Sequence, residues 1–493
     1  MKNVKSYYTK LNPSWVTLFL SLCLTILPAL SDGATLTVTK TADDGTVGTL
    51  RKAIADSMAG DIIEFDADLD GATIPLQLGP LGAPGNLTID ASALPGGITI
   101  SGDKTGDGPT LDDSAVFEFT NGAEVTMKSL TISGGNSSVN GGGIILRSST
   151  VIMEDCTVAH NRAGGSGGGF LNSGGTLILK RCTVAHNQSV GGGGGIFNNQ
   201  ATATLEQCTI AHNSISENSG GVGANGGGIF CANSPLTMEQ CTVAHNSAGD
   251  GSGFDGGDGG GIYISGSALT LTQCTIALNR AGNSDSDSGG DGGGIFAVGG
   301  GGSKDIFLND CIVAGNLAGL GNTSDGNGPD INRDNLVTQT GINLIGDNTL
   351  ATGAASTVAF PAGEFVGTSA SPLDALLGSL ADNGGPTETM LPLRGSPALN
   401  PDLAADTSTF PTDQRGFARI VLELLDIGAV EAPDYAAIDA AAAAARAARR
   451  SALSKKLQKI KRKFKSAKRR KQDRKVKRFN RLIKKLKRQL RNT

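Results

Sequence analysis

The chain has 493 residues, with 42 Lys and Arg against 46 Asp and Glu, 72 glycines and only 4% aromatics. That composition excludes a globule with an aromatic core and asks for one built from small and β-branched side chains with many tight turns. The net charge of −4 hides an acidic body and a basic end, since 24 Lys and Arg but a single acid, Asp473, lie from Arg446 onward.

Residues 1–31 read as a secretory signal. Lys2, Lys5 and Lys10 precede an apolar run at 16–30, and Ala29 and Ser31 place small residues at a cleavage site. Leu22 before Cys23 argues against a lipid anchor. No later stretch is apolar enough to span a bilayer, so the mature chain is expected to be exported, without a transmembrane span.

Residues 34–140 read as an N-terminal cap and first coils. A helical pattern at 49–56 lies between β-like runs at 35–39 and 61–65, where it would cover an open end of a stack. Alternating runs at 86–90, 97–101 and 125–132 lead into the repeat, with Leu130 standing 26 residues before Cys156.

Residues 141–330 are the regular repeat. Cys-Thr-Val/Ile-Ala begins at Cys156, Cys182, Cys208, Cys241 and Cys274, with Cys311 opening a looser copy. A triple glycine precedes Ile144, Phe170, Ile196, Ile229, Ile262 and Ile295. The step from there to the next cysteine is twelve residues five times and then sixteen, while the return step varies. One side of each unit is therefore fixed, and insertions fall in one solvent-facing loop. Two short strands and a glycine-rich turn make a coil that cannot bury its apolar face alone but can in a stack, with neighbours about 4.8 Å apart. Asn161, Asn187, Asn213, Asn246, Asn279 and Asn316 fall five residues after each cysteine and suit a hydrogen-bonded ladder. The expected fold class is all-β, a right-handed parallel β-helix (solenoid) with a short N-terminal cap helix and a C-terminal basic α-helical tail.

Four columns offer chemistry. His160, His186, His212 and His245 share one slot, either a metal-binding or pH-sensing stripe or a turn position carried along by the repeat; Leu278 and Gly315 take the slot later. The six aligned cysteines, with Cys231 outside their ladder, read as buried thiols, because parallel side chains give poor disulfide torsions. Before each cysteine stand two charged columns in which Lys180 faces Glu154 and Glu206, and Arg181 faces Asp155. Glu206 and Glu239 are the one adjacent like pair and the candidate catalytic carboxylates. The acidic loops are candidates for weak calcium binding, through Asp285, Asp287 and Asp291, or are simply solvated and flexible.

Residues 331–432 read as closing coils and a C-terminal cap. Residues 433–493 are Ala-rich and then Lys/Arg-rich, a long basic helix whose thin apolar stripe includes Leu457, Phe464, Phe479 and Leu486. It suits an anionic surface (lipopolysaccharide, acidic lipid or acidic polysaccharide), a partner helix or nucleic acid.

Several of these segments resemble known families. Leu36-Thr-Val-Thr, Asp43-Asp-Gly, Thr49-Leu-Arg-Lys-Ala-Ile and Ala59-Gly-Asp-Ile-Ile-Glu-Phe are similar to the N-terminal cap segment of bacterial surface β-helix proteins. Asn383-Gly-Gly-Pro-Thr, Gly395-Ser-Pro-Ala, Asp413-Gln-Arg-Gly-Phe and Asp426-Ile-Gly-Ala-Val-Glu resemble the closing domain of the choice-of-anchor Q type. Phe230-Cys-Ala-Asn also resembles a motif of chlamydial polymorphic outer-membrane adhesins, though nothing here reads as their barrel. The resemblance implies an exported or cell-surface β-helix and no particular reaction. The function expected is a scaffold for adhesion or glycan contact, held by its tail. The alternative is a polysaccharide lyase or glycoside hydrolase working in a β-helix groove.

Overall fold

A computed structural model describes residues 33–104, 106, 114–216, 223–299, 305–333, 337–349, 363–399, 410–419, 425–470 and 472–491. The signal-like segment lies outside them. The chain divides into two units, Met1–Glu431 and Ala432–Thr493.

In the first unit every paired strand of the stack is parallel and in register with the same position of the next coil. One coil shows the plan: Phe170–Ser173 belongs to sheet C, Thr176–Lys180 to sheet A, Thr183–Ala185 to sheet B, and Gln188–Ser189 to a small fourth sheet. Among the described residues sheet A has 11 strands, sheet B 10 and sheet C eight. The coil thus has three principal strands where the sequence pattern predicts two. The missed one follows the triple glycine, where Phe170-Leu-Asn-Ser and Ile196-Phe-Asn-Asn mix apolar and amide residues and so hide the period of two.

The corners of the coil are set by left-handed backbone. In this coil Gly174, Arg181, His186 and Gly193 have φ of 68°, 52°, 56° and 70°. The histidine column stands in this strained region, as do Leu278 and Gly315 after it, which is why β-branched side chains are missing from the slot.

Between corners, alternate residues point inward. Leu177, Leu179, Cys182 and Val184 are fully or almost fully buried, and one continuous core runs from Val38 to Ile345. Helix α1, Leu50–Asp56, places Leu50 and Ile54 in that core; Thr49 caps it, Oγ1 accepting from the Lys52 N–H at 3.3 Å. Leu130 pairs with Ile98 and lies one residue before the Thr131–Thr157 partnership, which puts it in register with Cys156.

Asparagine ties the coils together. The Asn161 N–H and Nδ2 both donate to Asn187 Oδ1, at 3.1 and 3.0 Å, and each later asparagine repeats the pattern to Asn316. Each Nδ2 also reaches a strand carbonyl, as Asn187 does to Val158 O at 2.9 Å. The seven described cysteines are buried free thiols. In their column Sγ donates to a local carbonyl, as Cys182 does to Lys180 O at 3.2 Å, and accepts from a neighbouring N–H.

After the coil strands Ile331–Arg333, Val337–Thr340 and Leu344–Ile345, the chain turns back along the side of the stack. It docks on the outward threonines of sheet B. Thr209 Oγ1 donates to Glu388 O at 2.5 Å, Thr242 Oγ1 donates to Gln414 Oε1 at 2.7 Å, and the Ala429 N–H donates to Thr275 Oγ1 at 3.1 Å. Within this segment the buried Asp413 holds the Arg415 guanidinium at 2.6 Å, so the Asp-Gln-Arg-Gly motif serves as its fastening. The outer face of sheet B is thereby covered at Thr209, Thr242 and Thr275, while Thr157 and Thr183 stay half-exposed.

In the second unit, helices α2, Tyr435–Arg469, and α3, Asp473–Arg491, pack against each other. Where the sequence suggests a single long helix, the structure has two, one ending at Arg469 and the next beginning at Asp473. Among the described residues no helix is long and apolar enough to cross a membrane.

Candidate functional site

With part of sheet B covered, sheets A and C offer the open faces. On sheet C the residue after each inward Ile points outward, and in four successive coils it is aromatic. The rings of Phe197 and Phe230 lie 4.8 Å apart and within 6° of parallel; Phe230 and Tyr263 lie 4.8 Å apart within 4°, and Tyr263 and Phe296 5.4 Å apart within 14°. All four are half-exposed. In earlier coils Ile145 and Leu171 hold the position, and both are buried. The result is an apolar ribbon on the surface of the stack.

Polar groups border the ribbon. On one side the outward positions are Asn199, Ala232, Ser265 and Val298, of which Asn199 and Ser265 are polar. On the other a column in the loops runs Asn225, Asp258, Asp291, Asn327. Each side chain accepts from the N–H of the next: Asn225 Oδ1 from Asp258 at 2.7 Å, Asp258 Oδ1 from Asp291 at 2.8 Å, and Asp291 Oδ1 from Asn327 at 2.6 Å. Burial pushes the Asp258 carboxyl up to about 7, and Asp291 rises for the same first reason. The Tyr263 phenol is raised by burial and then by the charge of Asp258. Sequence reasoning missed this site. Its signal is present as Gly-Gly-Gly-Ile-Phe, -Ile-Phe, -Ile-Tyr and -Ile-Phe in four adjacent repeats, each triple glycine following a glycine, Asn225, Asp258 or Asp291.

Of the residues singled out from the sequence, Asp291 stands in this column and the others lie elsewhere. Glu206 and Glu239 are register partners at the C-terminal ends of adjacent strands within sheet A, with Lys180 opposite Glu206 in the preceding coil. Burial, and then Glu206, raises the Glu239 carboxyl. Arg181 and Asp155 make a two-pronged ion pair at 2.7 and 2.8 Å, whereas Lys180 has no ion pair within 4.0 Å among the described residues. The structure does not gather Asp285, Asp287 and Asp291. Asp285 Oδ1 accepts from the Gly253 N–H at 2.8 Å, Asp287 Oδ1 from Thr323 Oγ1 at 3.3 Å, and Asp291 from Asn327. No cluster of three or more His, Cys, Asp or Glu suited to a metal ion occurs among the described residues.

The histidine rings stack 4.9 to 5.0 Å apart and within 3° of parallel. Parallel rings direct their nitrogens alike, so they do not converge on one tetrahedral ion. Burial lowers the pKa of His186, His212 and His245, helped by neighbouring imidazoles at the first two. Cys231 sits inside sheet C, in register with Asn198 and Ile264, and burial pushes its thiol up to about 12. Where leucine replaces histidine, Leu278 and Leu317 join Leu373 and Met390 around a mostly apolar cavity of about 420 Å³ beneath the returning segment.

The loops that carry Asp258 and Asp291 stack as layers joined by backbone hydrogen bonds. Gly256 donates to Ser288 O at 2.9 Å, Gly282 to Gly257 O at 2.7 Å, and Gly319 to Gly290 O at 2.8 Å. A Cβ on Gly282 would lie 1.8 Å from Gly249 O, so these contacts require glycine.

The family model described as a right handed beta helix region matches residues 97–336. No curated protein matches the chain. Among solved structures, the crystal structure of pectate lyase Pel9A is similar at 14% identity, covering 81% of this chain and 97% of that one with a TM-score of 0.38. Tailspike protein 3 of bacteriophage CBA120 is similar at 11% identity, over 71% of this chain and 70% of that one, with a TM-score of 0.24. By its in-register parallel strands and by the family model, the chain is a right-handed parallel β-helix protein.

Proposed function

We propose that the chain is an exported, cell-surface or extracellular scaffold for glycan contact, held in place by its basic C-terminal unit. The observation that carries this reading is the half-exposed ribbon Phe197–Phe230–Tyr263–Phe296 bordered by amides, hydroxyls and carboxylates. A sugar has an apolar C–H side and a polar rim. A stiff apolar strip with hydrogen-bonding groups at its margins complements both, and the stack fixes it before binding, which limits the entropy lost. The coils repeat at the strand spacing, so a linear polymer can lie along several of them.

A second reading, cleavage of the polysaccharide by a lyase or glycoside hydrolase reaction, draws on Asp258. This half-buried carboxyl titrates near neutrality beside the ribbon, as a general acid or base would need to.

The test is binding of the full exported chain to a panel of neutral and acidic polysaccharides, with new reducing ends and unsaturated products followed in the same samples. Binding weakened about tenfold, or about 1.4 kcal/mol, by Phe230→Ala with Tyr263→Ala supports glycan contact at the ribbon. Cleavage abolished by Asp258→Asn moves the assignment to an enzyme. Binding of the neutral polysaccharides unchanged by the double substitution removes the ribbon from the proposal.

A further inference from the structure

The C-terminal unit does not present the apolar stripe that its sequence carries. Leu457, Phe464 and Ala467 of α2 and Phe479, Ile483 and Leu486 of α3 are half-buried or buried, whereas almost all Lys and Arg around them are exposed. The two helices pack together across a three-residue link, so they form an antiparallel hairpin whose seam takes up both stripes. Asp434 starts the hairpin as an N-cap, its Oδ1 accepting from the Ala437 N–H at 2.8 Å.

Cations cover what remains. Arg474, Lys477, Arg478, Arg481, Lys484 and Arg488 follow one another at steps of one, three and four residues on the side of α3 opposite its stripe, a ridge about 21 Å long at the helical rise. On α2, Lys455, Lys459, Arg462, Lys465 and Arg469 are exposed around the side away from the seam. The hairpin is therefore cationic on two opposite faces, and Asp473 is its one acid from Arg446 onward.

We propose that this hairpin is a binding site for an acidic polysaccharide, a flexible polymer bearing carboxylate or sulfate groups. The proposal rests on the reading that the basic unit holds the protein in place, and names what it holds. A flat bilayer would meet one cationic face only, and the apolar residues that anchor an interfacial helix lie in the seam. A single-stranded nucleic acid is gripped by outward aromatic rings, and the two rings of the basic stretch, Phe464 and Phe479, belong to the seam. A flexible polyanion can follow both faces, and its attraction is electrostatic and therefore sensitive to salt.

The test uses the full exported chain and four probes: sodium alginate, neutral dextran, a thymidine oligonucleotide, and vesicles of phosphatidylglycerol with phosphatidylcholine. Alginate should bind tightest, dextran should not bind through this unit, and raising salt from 0.05 to 0.3 M should weaken alginate binding by about tenfold or more. Arg478→Glu with Arg481→Glu should weaken it by at least about tenfold, and Arg478→Gln with Arg481→Gln by less, with helicity kept in circular dichroism. A Phe479→Trp chain should show no blue shift with vesicles. The Phe230→Ala, Tyr263→Ala chain should keep its alginate binding through the hairpin, which separates this site from the ribbon. Tighter binding to the oligonucleotide or to vesicles overturns the polysaccharide assignment. Failure of all three anions to bind overturns the holding role itself.

Discussion

Asp330 receives the last link of the asparagine ladder: the Asn316 backbone N–H donates to its Oδ1 at 3.0 Å and the Asn316 Nδ2 at 2.8 Å. Its other oxygen accepts from the Asp347 N–H at 2.6 Å. The ladder begins at the Gly135 N–H, which donates to Asn161 Oδ1 at 2.9 Å. Every link points the same way, so the chain of amides needs an acceptor that requires no further donor, and a carboxylate supplies it. Asn213→Ala should therefore be costly, because it leaves the Asn187 N–H and Nδ2 without their acceptor inside the core. The expected loss is about 3 kcal/mol, read as a lowered guanidinium midpoint.

Acid should stabilise the protein in the upper pH range. Burial raises the carboxyls of Asp330 to about 6, Asp258 to about 7 and Glu431 to about 8, from ordinary values near 4. A carboxyl whose folded pKa is raised gives stability that is present below its unfolded pKa and lost as pH rises through the folded one. Between pH 8.5 and 6.5 the folded protein takes up protons that the unfolded chain does not, so stability grows as pH falls. Each group contributes up to about 1.4 kcal/mol per pH unit while it titrates. The histidines, lowered in the folded state, oppose this only below about pH 6.5. Thermal melts across that window should show the rise, and Glu431→Gln should flatten it.

Glycine in the stacked loops is a packing requirement. Gly282→Ala places a methyl group 1.8 Å from Gly249 O and should destabilise by more than about 3 kcal/mol, because backbone on both sides must shift. Gly85→Ala, where nothing lies within 4 Å of the new carbon, should be neutral or slightly stabilising. Equal effects of the two substitutions would show that chain entropy, and not the close approach, explains the glycine content.

The returning segment should come loose when Gln414 is changed. Its Nε2 lies 2.9 Å from Thr209 Oγ1, 3.0 Å from Thr387 Oγ1 and 3.1 Å from Cys208 O, and its Oε1 accepts from Thr242. Gln414→Leu leaves these buried groups unpaired, at an expected loss of about 2 kcal/mol. Limited proteolysis should then cut within 363–431 faster, while the coils at 141–330 resist as before.

The stack was legible in the sequence because its determinants repeat. Twelve-residue steps from the glycine run to the cysteine place strands in register, and a buried amide every coil declares the ladder. The third strand was hidden by Asn172, Asn198 and Cys231, inward residues that break the apolar alternation. The returning segment lacks a repeat altogether. Its threonine partners belong to Cys-Thr-Val-Ala copies that look identical whether covered, as at Thr242, or open, as at Thr183. The aromatic ribbon was written in the sequence, but Phe230 and Tyr263 stand one residue beyond the motif that draws attention, and their meaning depends on which side of the strand faces out. The hairpin seam was invisible because one amphipathic stripe looks the same whether it meets a membrane or its own neighbour.

The layered glycine loops also bear on how such a stack of coils can change length. Successive cysteines are 26, 26, 33, 33 and 37 residues apart, so the enlarged loops are next to one another. Each enlarged loop offers its N–H groups to carbonyls of the next, as Gly256 does to Ser288 and Gly289 to Ser324. An insertion confined to one coil would leave that strip of backbone without a neighbour. Growth by copying a whole coil, loop included, brings its own template with it, so the size of a loop is a property shared between adjacent copies.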